Sequence, residues 1–289
     1  IGMPKKNPSI APILKWVGGK RQLLDQIMPL IPKNCSTYVE PFLGGGAVFF
    51  ELQPKKAIIN DFNEELVNVY LSVRDSCEDL ISLLEIHEAK HSEAYYYQIR
   101  SLDRDSGYSR LPPVEKAARI LYLNKTCYNG LYRVNAAGQF NTPFGRYKNP
   151  SIYDAAAIRA MSKYLQRKSI SIRQGDYRLA LKGLRKSAFV YLDPPYLPIS
   201  SSSSFTGYTE GGFSYDQQVE LKKECDKLRK KGIAFLQSNS DCKEIRELYR
   251  GYEIRTVRAK RSINSNADKR GEINEVLIYY DPGERYADC

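Results

Sequence analysis

Ala188-Phe189-Val190-Tyr191-Leu192 is an apolar run without polar alternation, which predicts a short strand buried on both faces. It stops at Asp193-Pro194-Pro195-Tyr196. A strand ending this way sets a carboxylate, a proline-fixed carbonyl and an aromatic ring together at the carboxyl edge of a sheet. Pro194 and Pro195 fix φ and carry no backbone N–H, so carbonyls of the turn stay free to accept hydrogen bonds. Two acceptors and a ring to stack on match a planar base that carries an exocyclic amine. The tetrapeptide alone is also compatible with a plain strand followed by a proline turn.

Nearer the amino end, Thr37-Tyr38-Val39-Glu40 predicts a strand. Pro41-Phe42-Leu43-Gly44-Gly45-Gly46-Ala47 follows as a turn, and Val48-Phe49-Phe50-Glu51-Leu52 as a helix. Strand, glycine turn and helix let a ligand approach the backbone at the helix start. The turn is neither G-x-G-x-x-G nor a Gly-Lys-Ser/Thr phosphate loop. Ala57-Ile58-Ile59-Asn60-Asp61 predicts a second strand ending in a carboxylate, a position that commonly accepts from ribose hydroxyls. Upstream, Lys15-Trp16-Val17-Gly18-Gly19-Lys20 places the single tryptophan beside a Gly-Gly turn.

In that order, Lys15-Trp16-x-Gly18-Gly19-Lys20, Glu40-Pro41-Phe42-x-Gly44-Gly45-Gly46, Asn60-Asp61 and Asp193-Pro194-Pro195-Tyr196 resemble the Dam family of DNA adenine-N6 methyltransferases. This is an alpha-type amino-methyltransferase group, and the likeness is strongest to the GATC methylases of Dpn-type restriction–modification systems. It runs from Ile13 to Tyr280, and Asp193 as first residue of the tetrapeptide points to the adenine branch. The resemblance implies an α/β, Rossmann-like, S-adenosylmethionine-dependent fold with a mixed seven-stranded sheet. Residues 1–62 and 165–289 would form the catalytic domain, and 63–164 an inserted, mainly helical target-recognition domain with a β-hairpin. It further implies that Trp16, Lys20, Asp61 and Asp193 contact the cofactor or its surroundings, with Glu40 and Phe42 in the same motif. Gly44 and Gly46 would pass under the methionine moiety. Asp176, in Gln174-Gly175-Asp176-Tyr177 after the predicted strand from Ile170, would contact the cofactor's adenine. No metal is implied.

Between the second and third strands, helical spacing dominates: Leu66, Val69, Tyr70 and Val73; Leu80, Ile81, Leu83 and Leu84; Tyr95 to Ile99; Ala117 to Leu123. Asp103 to Pro113 is a polar break with Gly107 and two prolines, expected as a mobile loop. Tyr132-Arg133-Val134-Asn135 and Gln139-Phe140-Asn141-Thr142 flank Ala136-Ala137-Gly138, which predicts a β-hairpin. Asn, aromatic and Arg side chains on such a hairpin suit DNA: Arg pairs bidentately with guanine, Asn serves adenine or phosphate, and Tyr wedges into a stack. An ordinary turn at Asn129-Gly130 and a surface ion pair at Arg133 fit the same residues. The family resemblance favours recognition. It implies that Arg133 reads guanine, Leu131 touches the thymine methyl, and Tyr128 with Asn129 braces the disrupted stack. Lys15 would contact the outer edge of a 5′-GATC-3′ site, with Asn141 on the same surface. Arg146 and Lys148 are assigned to phosphates, and Arg261 to phosphate or the wall of the base pocket. One departure from the family is Tyr132, at a variable hairpin position that does not bear on the inference.

The formal net charge of +11 suits a polyanionic partner, here double-stranded DNA, although charge alone leaves RNA and membrane surfaces open. No apolar run is long enough to span a bilayer. Six cysteines without C-x-x-C spacing predict free thiols in a reducing cytoplasm. His87-Glu88-Ala89-Lys90-His91 matches the H-E-x-x-H zinc pattern, but its polar neighbours predict a solvated helix face instead. Ser200 to Gly212 is expected to be a lid over the base, and Glu275 to Tyr280 a last strand that closes the sheet.

Adenine N6 is a poor nucleophile because its lone pair is delocalised into the ring. Asp193 and the Pro194 carbonyl accepting its hydrogens, with Tyr196 stacked on a flipped base, would favour direct in-line transfer. One chain carries every expected part, so a monomer is expected, and a cognate restriction endonuclease is left open as a partner. The alternatives are an RNA adenine-N6 methyltransferase and a catalytically silent DNA-binding regulator. A protein-glutamine methyltransferase is disfavoured because that group carries Asn where Asp193 stands.

Overall fold

A computed structural model describes residues 6–198, 213–260 and 272–283. Its strands are β1 (Thr37–Glu40), β2 (Ala57–Asp61), β3 (Ile170–Gln174), β4 (Ala188–Leu192), β5 (Ala234–Ser240), β6 (Glu253–Lys260) and β7 (Glu272–Tyr280). They form one seven-stranded sheet in the order β3-β2-β1-β4-β5-β7-β6. β1 pairs in parallel with β2 and β4, and β4 with β5, whereas β7 is antiparallel to both β5 and β6. This is the mixed α/β sheet that the family resemblance implies. One expectation needs correction: the last strand does not close the sheet but inserts between β5 and β6. In β7, Val276, Leu277 and Ile278 are all buried and need cover on both flanks. β6 instead exposes Glu253, Arg255, Thr256 and Arg258, the polar pattern of an edge strand.

The helices are α1 (Leu24–Ile27), α2 (Ala47–Leu52), α3 (Glu64–Asp75), α4 (Cys77–Ala89), α5 (Glu93–Arg100), α6 (Pro113–Thr126), α7 (Ala155–Leu165), α8 (Tyr177–Ala180), α9 (Tyr215–Lys230) and α10 (Lys243–Leu248). The chain divides into two compact units. One comprises Ile1–Gly19, Gly44–Gln53 and Asp61–Gly175; the other comprises Lys20–Leu43, Pro54–Asn60 and Asp176–Cys289.

In the first unit, α3 buries Leu66, Val69, Tyr70 and Val73, and packs on α6, which is buried from Ala117 to Asn124. Asn63 starts α3 by accepting from the Leu66 N–H, which satisfies an otherwise orphaned donor. The stretch expected as a mobile loop is tied down. Buried Arg119 pairs with Asp103 at 2.9 Å, and the Tyr108 hydroxyl donates to Glu65. The expected hairpin shrinks to an isolated bridge, Val134 opposite Phe140, flanked by Asn135 N–H to Gln139 O and Asn141 N–H to Arg133 O. The Asp103 carboxylate accepts from the Phe140 N–H at 2.7 Å, which satisfies a donor on the outer edge of the hairpin.

In the second unit, the core joins Val39, Val190, Leu192, Phe235, Val276 and Ile278 of the sheet to Leu221, Cys225 and Leu228 of α9. Ser214 and Gln217 form a reciprocal capping box that starts α9. The parallel registers Val39 with Val190 and Leu192 with Gln237 bring the carboxyl ends of β1, β4 and β5 to one edge of the sheet. No helix among the described residues is long and apolar enough to cross a membrane.

Candidate active site

Asp193 leaves β4 directly from that edge, and its Oδ1 lies 3.0 Å from Lys20 Nζ. Lys20 is only 4% exposed, while the Asp193 side chain keeps 21% of its surface. Lys20 Nζ also stands 4.5 Å above the centre of the Tyr196 ring. The Tyr196 hydroxyl donates to Glu275 Oε2 at 2.8 Å. Three residues picked from sequence (Lys20, Asp193 and Tyr196) thus converge, together with one that was not, Glu275. Burial pushes the Asp193 carboxyl up to about 6; the Lys20 ammonium opposes that rise, and the Glu275 carboxylate adds to it.

The turn itself is held by buried polar groups. Gln218 Nε2 donates to the Pro195 carbonyl at 2.9 Å, and Ser240 Oγ donates to the Leu197 carbonyl. Asn239 donates to both Gln218 and Gln237, and Gln237 donates to the Tyr249 hydroxyl. Pro194 is buried and Pro195 exposed. Within the same unit, buried Glu40 accepts from the Tyr38 hydroxyl at 2.7 Å. Phe42 stacks on Tyr177, with ring centres 4.9 Å apart, and meets Phe213 edge-on. Asp176 caps α8 and grips Arg178 with both oxygens, at 2.8 and 2.9 Å.

In the other unit, the glycine turn is built around Trp16. Gly44 has φ +53°, and a Cβ there would sit 2.9 Å from Trp16 Cδ1. Gly46, at φ 71°, is the N-cap of α2. Both positions favour glycine because the left-handed region penalises a Cβ. Asp61 receives the Gly44 N–H on one oxygen and the Asn63 N–H on the other, each at 2.9 Å. Tyr70 donates to the Gly44 carbonyl. Trp16 stacks on Tyr132 at 5.0 Å. Tyr132 thus sets the face of the tryptophan.

Among the residues assigned to DNA, Lys15 is exposed. Its backbone N–H and carbonyl both bond to the buried Asn124 amide, and its stem packs against Gly130. Tyr128 is half exposed, and Asn129 has φ 55°. Leu131 is half-buried; its carbonyl accepts from Thr142 Oγ1. Arg133 is exposed and donates through Nε to Asn141 Oδ1 at 2.9 Å. Arg146 is 84% exposed on its side chain, 3.9 Å from Glu93, and Lys148 is exposed.

The match to known proteins decides the family. A profile described as D12 class N6 adenine-specific DNA methyltransferase matches residues 16–263. The Lactococcus lactis type II methyltransferase M1.LlaDCHI is 46% identical, covering 96% of this chain and 97% of its own. Type II methyltransferase M.MjaIII of Methanocaldococcus jannaschii is 42% identical over 93% and 98% of the two chains. The DNA adenine methylase of Escherichia coli K12 is 34% identical over 96% and 97%. The chain belongs to the D12 class of adenine-N6 DNA methyltransferases.

Within this D12-class enzyme the paired histidines are not on a solvated face, contrary to expectation. His91 lies beyond the end of α4, and His87 stacks on Tyr122 at 5.1 Å and bonds to the Tyr95 hydroxyl. Burial lowers His87 to about 4, so it packs as a neutral ring, and His91 bonds to the Tyr122 hydroxyl. Glu275, Gln218, Asn239 and Tyr132 are the neighbours that sequence reasoning missed. A polar run, Gln237 to Ser240, inside a fully buried strand was the available signal for the network around Asn239. Arg261 and the Ser200–Gly212 stretch lie outside the described residues.

Proposed function

We propose that this methyltransferase moves a methyl group from S-adenosylmethionine to adenine N6 within 5′-GATC-3′ of double-stranded DNA. The base would be flipped out of the helix, and transfer would be direct and in line. The convergence of Lys20, Asp193 and Tyr196 at the carboxyl end of β4 carries the reading.

The residues fit such a cofactor by the chemistry of their donor set. Glu40, Asp61, Asp176 and Asp193 are carboxylates suited to a ligand bearing positive charge and hydroxyls. Asp61 accepts the Gly44 N–H on one oxygen and the Asn63 N–H on the other, which holds its carboxylate at the carboxyl end of β2, where a ribose hydroxyl would be met. Trp16, Phe42 and the Gly44–Gly46 turn supply the apolar and close-approach surfaces. When bound, S-adenosylmethionine would supply an electrophilic methyl carbon on a positively charged sulfonium, whose sulfur can keep the C–S electron pair as the leaving group.

Asp193 and the Pro194 carbonyl accept the two amine hydrogens, which turns the nitrogen towards pyramidal geometry and frees its lone pair. Lys20 holds the carboxylate in place and favours its ionised form. Tyr196 stacks on the extruded adenine. Asp193 takes up the N6 proton only as the nitrogen gains positive charge, so it need not be a strong base. On the DNA side, Arg133 reads guanine with Asn141 steadying its guanidinium, Leu131 meets the thymine methyl, and Tyr128 with Asn129 fills the stack. Lys15 contacts the site's outer edge, and Arg146, Lys148 and Arg261 meet phosphates or the pocket wall. Residues 63–164 act as the recognition region. The enzyme works as a cytoplasmic monomer, and the relatives named type II methyltransferases support a place in a restriction–modification system. Asp193→Ala tests the reading: methyl transfer should vanish while DNA binding stays measurable, and full activity in that variant would overturn it.

A further inference from the structure

We propose that Glu275 is a positioning residue for the reaction, holding the Tyr196 ring by its hydroxyl so that the ring meets the target adenine in one orientation. The proposal rests on Tyr196 stacking on that base. An aromatic ring on a proline-rich turn has two soft side-chain torsions, and stacking alone fixes neither before the base arrives. Here each end of the segment is held. The Tyr196 hydroxyl donates to Glu275 Oε2 at 2.8 Å, while the Pro195 and Leu197 carbonyls on either side are bonded by Gln218 and Ser240. Glu275 and Ser240 are directly opposed in the β5–β7 pairing, so one rung of the sheet holds both the hydroxyl and the backbone beyond it. Glu275 precedes the buried run Val276 to Ile278, which fixes its own position.

A second consequence is electrostatic. The groups bearing on Asp193 are Lys20 from the segment before α1, Glu275 from β7, Tyr191 from its own strand and Tyr196 from the turn. Among them Lys20 lowers the Asp193 carboxyl and Glu275 raises it. Glu275→Gln keeps an acceptor for the tyrosine but removes the charge, whereas Glu275→Ala removes both.

Steady-state methylation of duplex DNA by wild type, Glu275→Ala, Glu275→Gln, Tyr196→Phe and Tyr196→Ala, each across pH, separates these effects. We expect Glu275→Ala to lower kcat by about 10- to 100-fold, the cost of a misplaced group, with the KM for cofactor within about twofold. Glu275→Gln should recover most of kcat and move the acid limb of the pH profile to lower pH. Tyr196→Phe should lose less than Tyr196→Ala, and adding Glu275→Ala to Tyr196→Phe should cost less than it does in wild type. Wild-type kcat in Glu275→Ala, with Tyr196→Ala impaired, would overturn the positioning role and leave the stacking assignment standing. Wild-type kcat in Tyr196→Ala would overturn both. A Glu275→Gln variant as impaired as Glu275→Ala, with an unmoved acid limb, would reduce Glu275 to a fold residue and overturn the proposal.

Discussion

Asp193 carries a carboxyl that burial raises to about 6, and the role proposed for it in the transfer needs its ionised form. Activity should therefore fall as pH drops through 6, with the limb set by one group; a profile flat down to pH 5 would contradict the assignment. The linkage to stability runs the other way. A carboxyl held higher in the folded than in the unfolded chain contributes stability that is complete below the ordinary carboxylate value and is lost as pH rises through about 6. The acid loss of activity should thus precede any unfolding, which circular dichroism on the same samples would check. Lys20 offsets part of the burial cost, so Lys20→Met should push the acid limb upward. Sequence made Asp193, Lys20 and Tyr196 legible because they sit in short motifs. Glu275 was invisible because its meaning comes from a contact 79 residues away along the chain.

At the scale of elements, the turn after β1 depends on glycine at position 44. An alanine there would carry a Cβ in the left-handed region and 2.9 Å from Trp16. Gly44→Ala should cost about 1–2 kcal/mol from backbone strain, read by denaturant unfolding. It should also shift the emission of the chain's single tryptophan; an unchanged spectrum would contradict the contact. Asn239, buried in β5, donates to Gln218 and Gln237 and accepts from the Ser240 and Leu197 N–H groups, so Asn239→Leu strands these partners and should destabilise by about 1–3 kcal/mol for each group left unsatisfied. Strands and helices were legible from apolar runs, helical spacing and turn residues. The order β5-β7-β6 was not, since an apolar run specifies burial but not its neighbour. The hairpin was foreseen longer than it is; its outer edge at Phe140 is bonded by Asp103 and Arg104, a contact that local sequence does not reveal.

For the whole molecule, a formal net charge of +11 predicts that DNA affinity falls steeply with salt through counterion release. Exposed Arg133 and Lys148 should then separate by kind of effect. Arg133→Ala should cost about 1–3 kcal/mol of discrimination at the guanine position, whereas Lys148→Ala should weaken binding evenly across sequences and flatten the salt slope. Competition binding at two salt concentrations reads both, and equal losses on matched and mismatched sites for Arg133→Ala would contradict its base-reading role. The most direct test of the whole account is labelled methyl transfer from S-adenosylmethionine to duplexes containing GATC, GACC or no adenine-bearing site, with the product base identified. The account predicts N6-methyladenine in the GATC duplex alone. Equal methylation of the GACC duplex would contradict the assigned target, and a labelled base other than adenine would contradict the reaction itself.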